Sequence, residues 1–219
     1  MVSVGDLNTT ATSDLNGSIV TFTSTGVRTT YSDDSVSLEV TANVIGEAKH
    51  ELTVAGVTTK AISQFIGAFT ELHRDINNLI EIITTVIVDS NSKVSVIARA
   101  DGTAEHKVSV NGKESMATSK IEGASTVINT TGQVETTAGQ VDDGNGYDTK
   151  AVVTTQSDGK TTTRFIKVSR SNPSDISAVV NTLKASSSFA LGTNVEISKI
   201  GGTLYIKIIA PLDENLVIE

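Results

Sequence analysis

Two stretches of this chain lie on one another without a gap. Val40 to Gly67, VTANVIGEAKHELTVAGVTTKAISQFIG, matches Val96 to Gly123, VIARADGTAEHKVSVNGKESMATSKIEG. The identities are Val40/Val96, Ala42/Ala98, Gly46/Gly102, Ala48/Ala104, His50/His106, Val54/Val110, Gly56/Gly112, Ala61/Ala117, Ser63/Ser119 and Gly67/Gly123. About ten identities in about 28 positions mark an internal repeat of roughly 56 residues. Low complexity would repeat Thr and Val, but not paired glycines and histidines. A third, weaker copy begins at Ala151, where AVVTTQSDGKTTTRFIKV puts Asp158-Gly159 in the place of Asp101-Gly102. A chain so built folds one local unit several times, and each unit buries its apolar face against its neighbours.

Within a copy the grammar is that of strands and turns. Lys93 to Ala100 reads KVSVIARA, with Val94 and Val96 alternating against Lys93 and Ser95. Asp101-Gly102 follows, a pair suited to a type I′ turn because both central residues take positive φ. His106, Val108 and Val110 then share one face, and Asn111-Gly112 closes the run with a strong hairpin signal. Glycines recur about every ten residues, which suits either an antiparallel meander or the coils of a β-solenoid. Val195 to Ile209 reads as a further hairpin turning at Gly201-Gly202, with Leu204, Ile206 and Ile208 inward.

Two segments depart from this rhythm. From Ala61 to Ile83 the apolar residues Ile62, Phe65, Ile66, Phe69, Leu72, Ile76, Leu79, Ile80 and Ile83 keep i, i+3, i+4, i+7 spacing, which predicts a long amphipathic helix. Asn172 to Ala185 carries a capping Asn172, Pro173 at the first helical position and the stripe Ile176, Val179, Val180, Leu183, which predicts a short one. The expected fold is mainly β: repeated β-hairpin or β-solenoid-like units with one long and one short amphipathic helix, α+β at the C-terminal end. Residues 1–16, polar and turn-rich, are expected to be disordered. Residues 17–168 form the repetitive body, and residues 169–219 a small closing element.

Candidate chemistry is sparse. His50 and His106 hold equivalent repeat positions, and no carboxylate, Ser or Cys constellation recurs beside both, so each reads as a half-exposed strand residue. Asp142-Asp143-Gly144-Asn145-Gly146-Tyr147-Asp148 has calcium-loop character. With Gly146 at the sixth position, however, the first and twelfth fall on Val141 and Val152, which supply no side-chain oxygen. A weak calcium site at Asp143, Asn145 and Asp148 is the one metal candidate, and no other cofactor is expected. The carboxylate pairs Asp33-Asp34, Asp142-Asp143 and Asp213-Glu214 sit in polar turns, where solvation is the ordinary role. Phosphate-cradling GxGxxG and GxxxxGK[ST] patterns do not occur.

Composition narrows the class further. The absence of cysteine excludes a disulfide framework, a thiolate zinc site and a cysteine nucleophile. A formal charge of −8 disfavours nucleic acid as a partner. The longest apolar run, near Leu79 to Val88, is interrupted by Glu81, Thr84 and Thr85 and is too short to span a bilayer. Thr and Ser make up roughly a quarter of the residues, well above ordinary usage. The patterns DGTAEHKVSVNGKESMATSKIEGASTVI and DGNGYDTKAVVTTQSDGKTTTRFIKV resemble the Thr/Val/Gly-rich tandem repeats of very large bacterial surface proteins of adhesin type, over roughly Val40 to Val168. That resemblance implies an exported, elongated, non-enzymatic chain at the cell surface or outside the cell. The expected partners are other copies of itself or neighbouring repeats, and a host surface or glycan. The few copies and the predicted long helix depart from the pattern and keep a virion component, of fibre or baseplate type, as the alternative. A β-helical polysaccharide-acting enzyme is the third reading.

Overall fold

Alternation of small apolar and hydroxyl residues builds strands almost everywhere. The computed structural model describes residues 2–4, 7–142, 144–169 and 187–211, and within them every regular element is a strand. The strands form two mixed sheets of nine and ten, here sheets 1 and 2, packed face to face. The chain deals its strands to them in blocks. Sheet 1 receives β1 (Val2–Val4) and β2 (Leu7–Ser13). Sheet 2 then takes five: β3 (Ile19–Thr23), β4 (Gly26–Ser32), β5 (Val36–Asn43), β6 (Ala48–Val54) and β7 (Val57–Ser63). The next five return to sheet 1: β8 (Phe69–Arg74), β9 (Ile80–Ile87), β10 (Ser92–Arg99), β11 (Ala104–Val110) and β12 (Lys113–Ser119). Sheet 2 resumes with β13 (Ser125–Ile128), β14 (Val134–Asp142), β15 (Tyr147–Thr155), β16 (Thr161–Ser169) and β17 (Ser187–Phe189). Sheet 1 ends with β18 (Asn194–Ile200) and β19 (Thr203–Ile209).

Inside a block the strands run as an antiparallel meander, and between blocks of one sheet they meet in parallel. Three such joints occur among the described residues: β2 with β8, β7 with β13, and β12 with β18. In each, the strand leaving a sheet pairs with the strand that enters that sheet one crossing later. All three share one register, Ser13 opposite Leu72, Ser63 opposite Ile128, and Ser119 opposite Ile197. The first three of the four crossings among the described residues share a short pattern, Ser-x-apolar-x-Gly, at Ser13–Gly17, Ser63–Gly67 and Ser119–Gly123. Each serine hydroxyl accepts the N–H two residues on, from Leu15, Phe65 and Ile121, at 3.2, 3.3 and 3.1 Å. This side-chain turn bends the strand out of its sheet. The glycine that follows has positive φ in these three, 95°, 88° and 77°, as Gly192 does at 98° in the fourth crossing, a region that a side chain would disfavour.

The repeat seen in the sequence is therefore a repeat of structure, with its copies in opposite sheets. Gly46 and Gly102 close matched turns, each donating its N–H three residues back, to the Asn43 and Arg99 carbonyls at 2.9 Å. Gly159 does the same to Gln156 at 2.8 Å, which aligns the third copy. Ala55-Gly56 and Asn111-Gly112 both have two positive φ angles, as the type I′ reading of the second pair requires. The matched apolar residues Val40 and Val96, Ala48 and Ala104, and Ala61 and Ala117 are all buried. Between the sheets lies a thin core in three clusters, centred on Leu38, Leu52 and Leu72, on Val94, Val108 and Ile128, and on Ala104, Val153 and Ile197. The hairpin at Gly201-Gly202 forms as expected, with Leu204 buried and Ile206 and Ile208 packed on the third cluster.

Several expectations are corrected. The chain is not helical between Ala61 and Ile83, and its blocks are meanders in two mixed sheets, not solenoid coils. The 3.6-like spacing there is a coincidence, mixing the outward Ile62 of β7, the apolar crossing Phe65-Ile66, the exposed Phe69 and buried Leu72 of β8, the fully exposed Ile76 of the next turn, and the buried Ile80 and outward Ile83 of β9. Gly67 breaks the segment once. Asp75 breaks it again, its carboxylate accepting the N–H groups of Asn77 and Leu79 at 2.8 Å while Asn78 takes φ of 64°. The second predicted helix, Asn172 to Ala185, lies outside the described residues. Residues expected to be disordered before Gly17 hold β1 and β2, because the 7–13 segment has a parallel partner in β8.

Candidate functional site

The densest polar chemistry lies in the core. His106 projects from β11 of sheet 1 and is fully buried. Its Nδ1 lies 2.8 Å from Thr136 Oγ1 and its Nε2 2.9 Å from Thr155 Oγ1, both in sheet 2. Thr126 and Thr161 extend the chain, each 3.0 Å from its neighbour. Five side chains from β11, β13, β14, β15 and β16 thus form one buried network across the sandwich. Hydroxyls both donate and accept, so the chain closes whichever ring nitrogen carries the proton. Burial pushes the imidazole from 6.5 down to about 3, which keeps it neutral at ordinary pH. The expectation of a half-exposed residue is thereby overturned for His106. For His50 the backbone is equivalent, opposite Val40 and Ala61 as His106 is opposite Val96 and Ala117. Its side chain lies outside the described residues.

A second set of hydroxyls fastens block to block. Thr9 Oγ1 donates to the Gly46 carbonyl at 3.1 Å and accepts the Gly67 N–H at 3.2 Å. Thr59 Oγ1 does the same with the Gly102 carbonyl and the Gly123 N–H, at 3.5 and 3.3 Å. Ser115 Oγ repeats it with Gly159 and Gly192, at 2.7 and 2.9 Å. Each hydroxyl stands four residues before the end of its strand, and each is buried. Every such clasp ties the end of one block to a turn glycine and a crossing glycine of the following block. The sequence holds the signal, since Thr59 and Ser115 are hydroxyls at one repeat position, but they are not identical, so residue identity alone does not show it. Among the described residues no buried side-chain nitrogen or oxygen lacks a partner. The threonines inside the sandwich are thus spent on holding it together.

Outside the core, the charged residues pair along and across strands. Glu81 bonds to His73 at 3.0 Å and Arg99 at 3.1 Å, Arg99 reaches Glu105 at 3.5 Å, and Glu105 meets Lys107 at 3.4 Å. In the first copy Glu51 is held by Lys49 and Lys60, whose bonds pull its carboxyl below the usual range. Asp33 accepts the N–H groups of Ser35 and Val36 and the Tyr31 hydroxyl, which brings its carboxyl down to about 2. That is a turn cap, and its neighbour Asp34 is exposed. In the acidic loop Asp142 accepts the Gly144 N–H at 2.7 Å, and the buried Asp148 accepts from Gln140 Nε2 at 2.8 Å. Asn145 is exposed, and Asp143, like Asp213-Glu214, lies outside the described residues. No group of three or more His, Asp or Glu suited to a metal ion occurs among the described residues. Two shallow apolar cavities flank the second crossing and share Phe65 and Ile66. No helix among the described residues is long and apolar enough to cross a membrane. No protein-family model, curated protein or solved structure matches the chain.

Proposed function

We propose that this chain is a non-enzymatic structural or interaction protein, exposed at a cell surface or outside the cell, which works by adhesion or assembly. The observation that carries the reading is the threefold clasp. A hydroxyl that could serve chemistry at a surface is, at each repeat, buried and committed to two backbone groups. Such a design extends a sandwich block by block, and nine or ten strands at about 4.8 Å give each sheet a span of about 45 Å. An acidic, Thr- and Ser-rich exterior without cysteine keeps such a body dispersed without relying on the redox state of its surroundings.

The test is immunolabelling in the source organism. Antibodies against the folded protein are expected to bind intact cells or purified virus particles, without permeabilisation. Labelling of particles alone selects the virion role, labelling of cells the surface role. Signal only after lysis, in the cytosolic fraction, would overturn the proposal.

A further inference from the structure

The strand entering a sheet after a crossing places its third and fifth residues past the crossing glycine toward the other sheet. After Gly67 these are Thr70 and Leu72, 0% and 1% exposed; after Gly123, Thr126 and Ile128, both 0%; after Gly192, Val195 and Ile197, 3% and 0%. After Gly17 they are Val20 and Phe22, and these are 56% and 81% exposed. The whole of β3 is exposed, Ile19 included. A strand with core residues at core positions thus stands at the edge of sheet 2 with its inner face uncovered. Its equivalents β8, β13 and β18 each have a parallel neighbour on the side where β3, among the described residues, has none.

At the far edge of the same sheet the complementary half is free. β17 is the strand before a crossing, as β2, β7 and β12 are, and it pairs only with β16 among the described residues. We propose that β17 of one copy pairs in parallel with β3 of a second copy, so that the chain assembles head to tail through a fourth joint of the kind it makes three times internally. Phe189 pairs with Thr161 as Ser63 pairs with Ala48 and Ser119 with Ala104, so the shared register sets Phe189 opposite Phe22, Ser188 opposite Thr21 and Ser187 opposite Val20. Sheet 1 fits this, since it offers the first two strands of a block, β18 and β19, at one end and the last two, β1 and β2, at the other. A head-to-tail contact of this kind is heterologous and open-ended, giving a filament instead of a closed dimer. The proposal deepens the structural reading and rests on it for its biological role, but its physical test is independent.

The native chain has no cysteine, so engineered ones report without background. A chain carrying Phe22→Cys mixed with one carrying Phe189→Cys is expected to form a disulfide heterodimer on mild oxidation. Ile19→Cys with Phe189→Cys, three residues out of register and about 10 Å away, is expected not to. Sedimentation across the micromolar range is expected to show growing oligomers of the native chain. Phe22→Lys should abolish them while leaving the melting temperature within a degree or two, because Phe22 is exposed in the single chain. A native chain that stays monomeric throughout, or crosslinking equal in the two cysteine pairs, would overturn the joint. Either result would leave the surface assignment to stand or fall on the labelling experiment.

Discussion

The last three strands of two successive blocks, β5 to β7 and β10 to β12, are one unit folded twice, and they differ in what fills them. Turn glycines, crossing serines and clasping hydroxyls coincide between the two. Core volume and outer charge do not: Leu52 in one stands where Val108 stands in the other, and Lys49 and Glu51 where Glu105 and Lys107 stand. The difference teaches that the path of the backbone is carried by a few residues with special φ or special hydrogen bonds. Side chains between them are free to vary as long as each face keeps its polarity.

The largest break in this equivalence is expected in the core. Leu52→Ala should cost about 2–5 kcal/mol, and Val108→Ala less, because it removes one carbon fewer and leaves a smaller cavity. Denaturant melts of the two variants check the order, and equal losses would mean that the first cluster collapses around its cavity. Next comes the buried histidine. Between about pH 6.5 and about 3 the unfolded chain binds a proton at His106 that the folded chain refuses. Stability therefore falls with falling pH, by up to about 1.4 kcal/mol per pH unit, is fully present above the unfolded value and declines no further below the folded one. His106→Gln should remove that slope while keeping a neutral hydrogen-bonding side chain between Thr136 and Thr155. Melts at several pH values measure it, and parallel slopes in the two proteins would refute the burial argument.

The clasp offers a subtler comparison. Thr59→Val keeps the shape of the side chain but leaves the Gly102 carbonyl and the Gly123 N–H without it, at a cost of about 1–3 kcal/mol. Thr9→Val should cost a similar amount, and a loss confined to one of the two would show that the joints are not equivalent. The smallest difference is expected at the turns. Gly46→Ala and Gly102→Ala both meet a left-handed backbone, at about 1–2 kcal/mol each. A methyl at Gly46 also meets both γ carbons of branched Ile66, whereas at Gly102 it meets the swinging chain of Glu122. Gly46→Ala should thus be the worse of the two by calorimetry.

Much of this plan was legible before any coordinates, and for a physical reason. Hairpins are local, so Asn111-Gly112 announces itself by the two positive φ values that its residues tolerate, whereas at Asp101-Gly102 the turn forms but not as type I′, because Gly102 alone has positive φ. The crossings were half legible: Ser63/Ser119 and Gly67/Gly123 stood among the repeat identities, but nothing in a pair of identities says that a chain changes sheets there. The helix error has the same root. Periodicity measures where apolar residues fall, and a crossing with two apolar residues between two short strands mimics a helical stripe. His106 failed differently, because its burial depends on Thr136 and Thr155, which lie 30 and 49 positions away.

The clasps also set a timetable for synthesis. Their two ends are 58, 64 and 77 positions apart, far beyond the reach of a hairpin. At a translation rate of about 5–20 residues per second, Thr59 waits about 3–13 s for Gly123 to be made. During that interval β7 is a completed strand with one side unpaired, on a ribosome followed by others making the same chain. A neighbouring nascent chain presents the same β13 that β7 is waiting for. Crowded polysomes are therefore where exchanged blocks would arise, and slowing initiation should favour correctly threaded molecules.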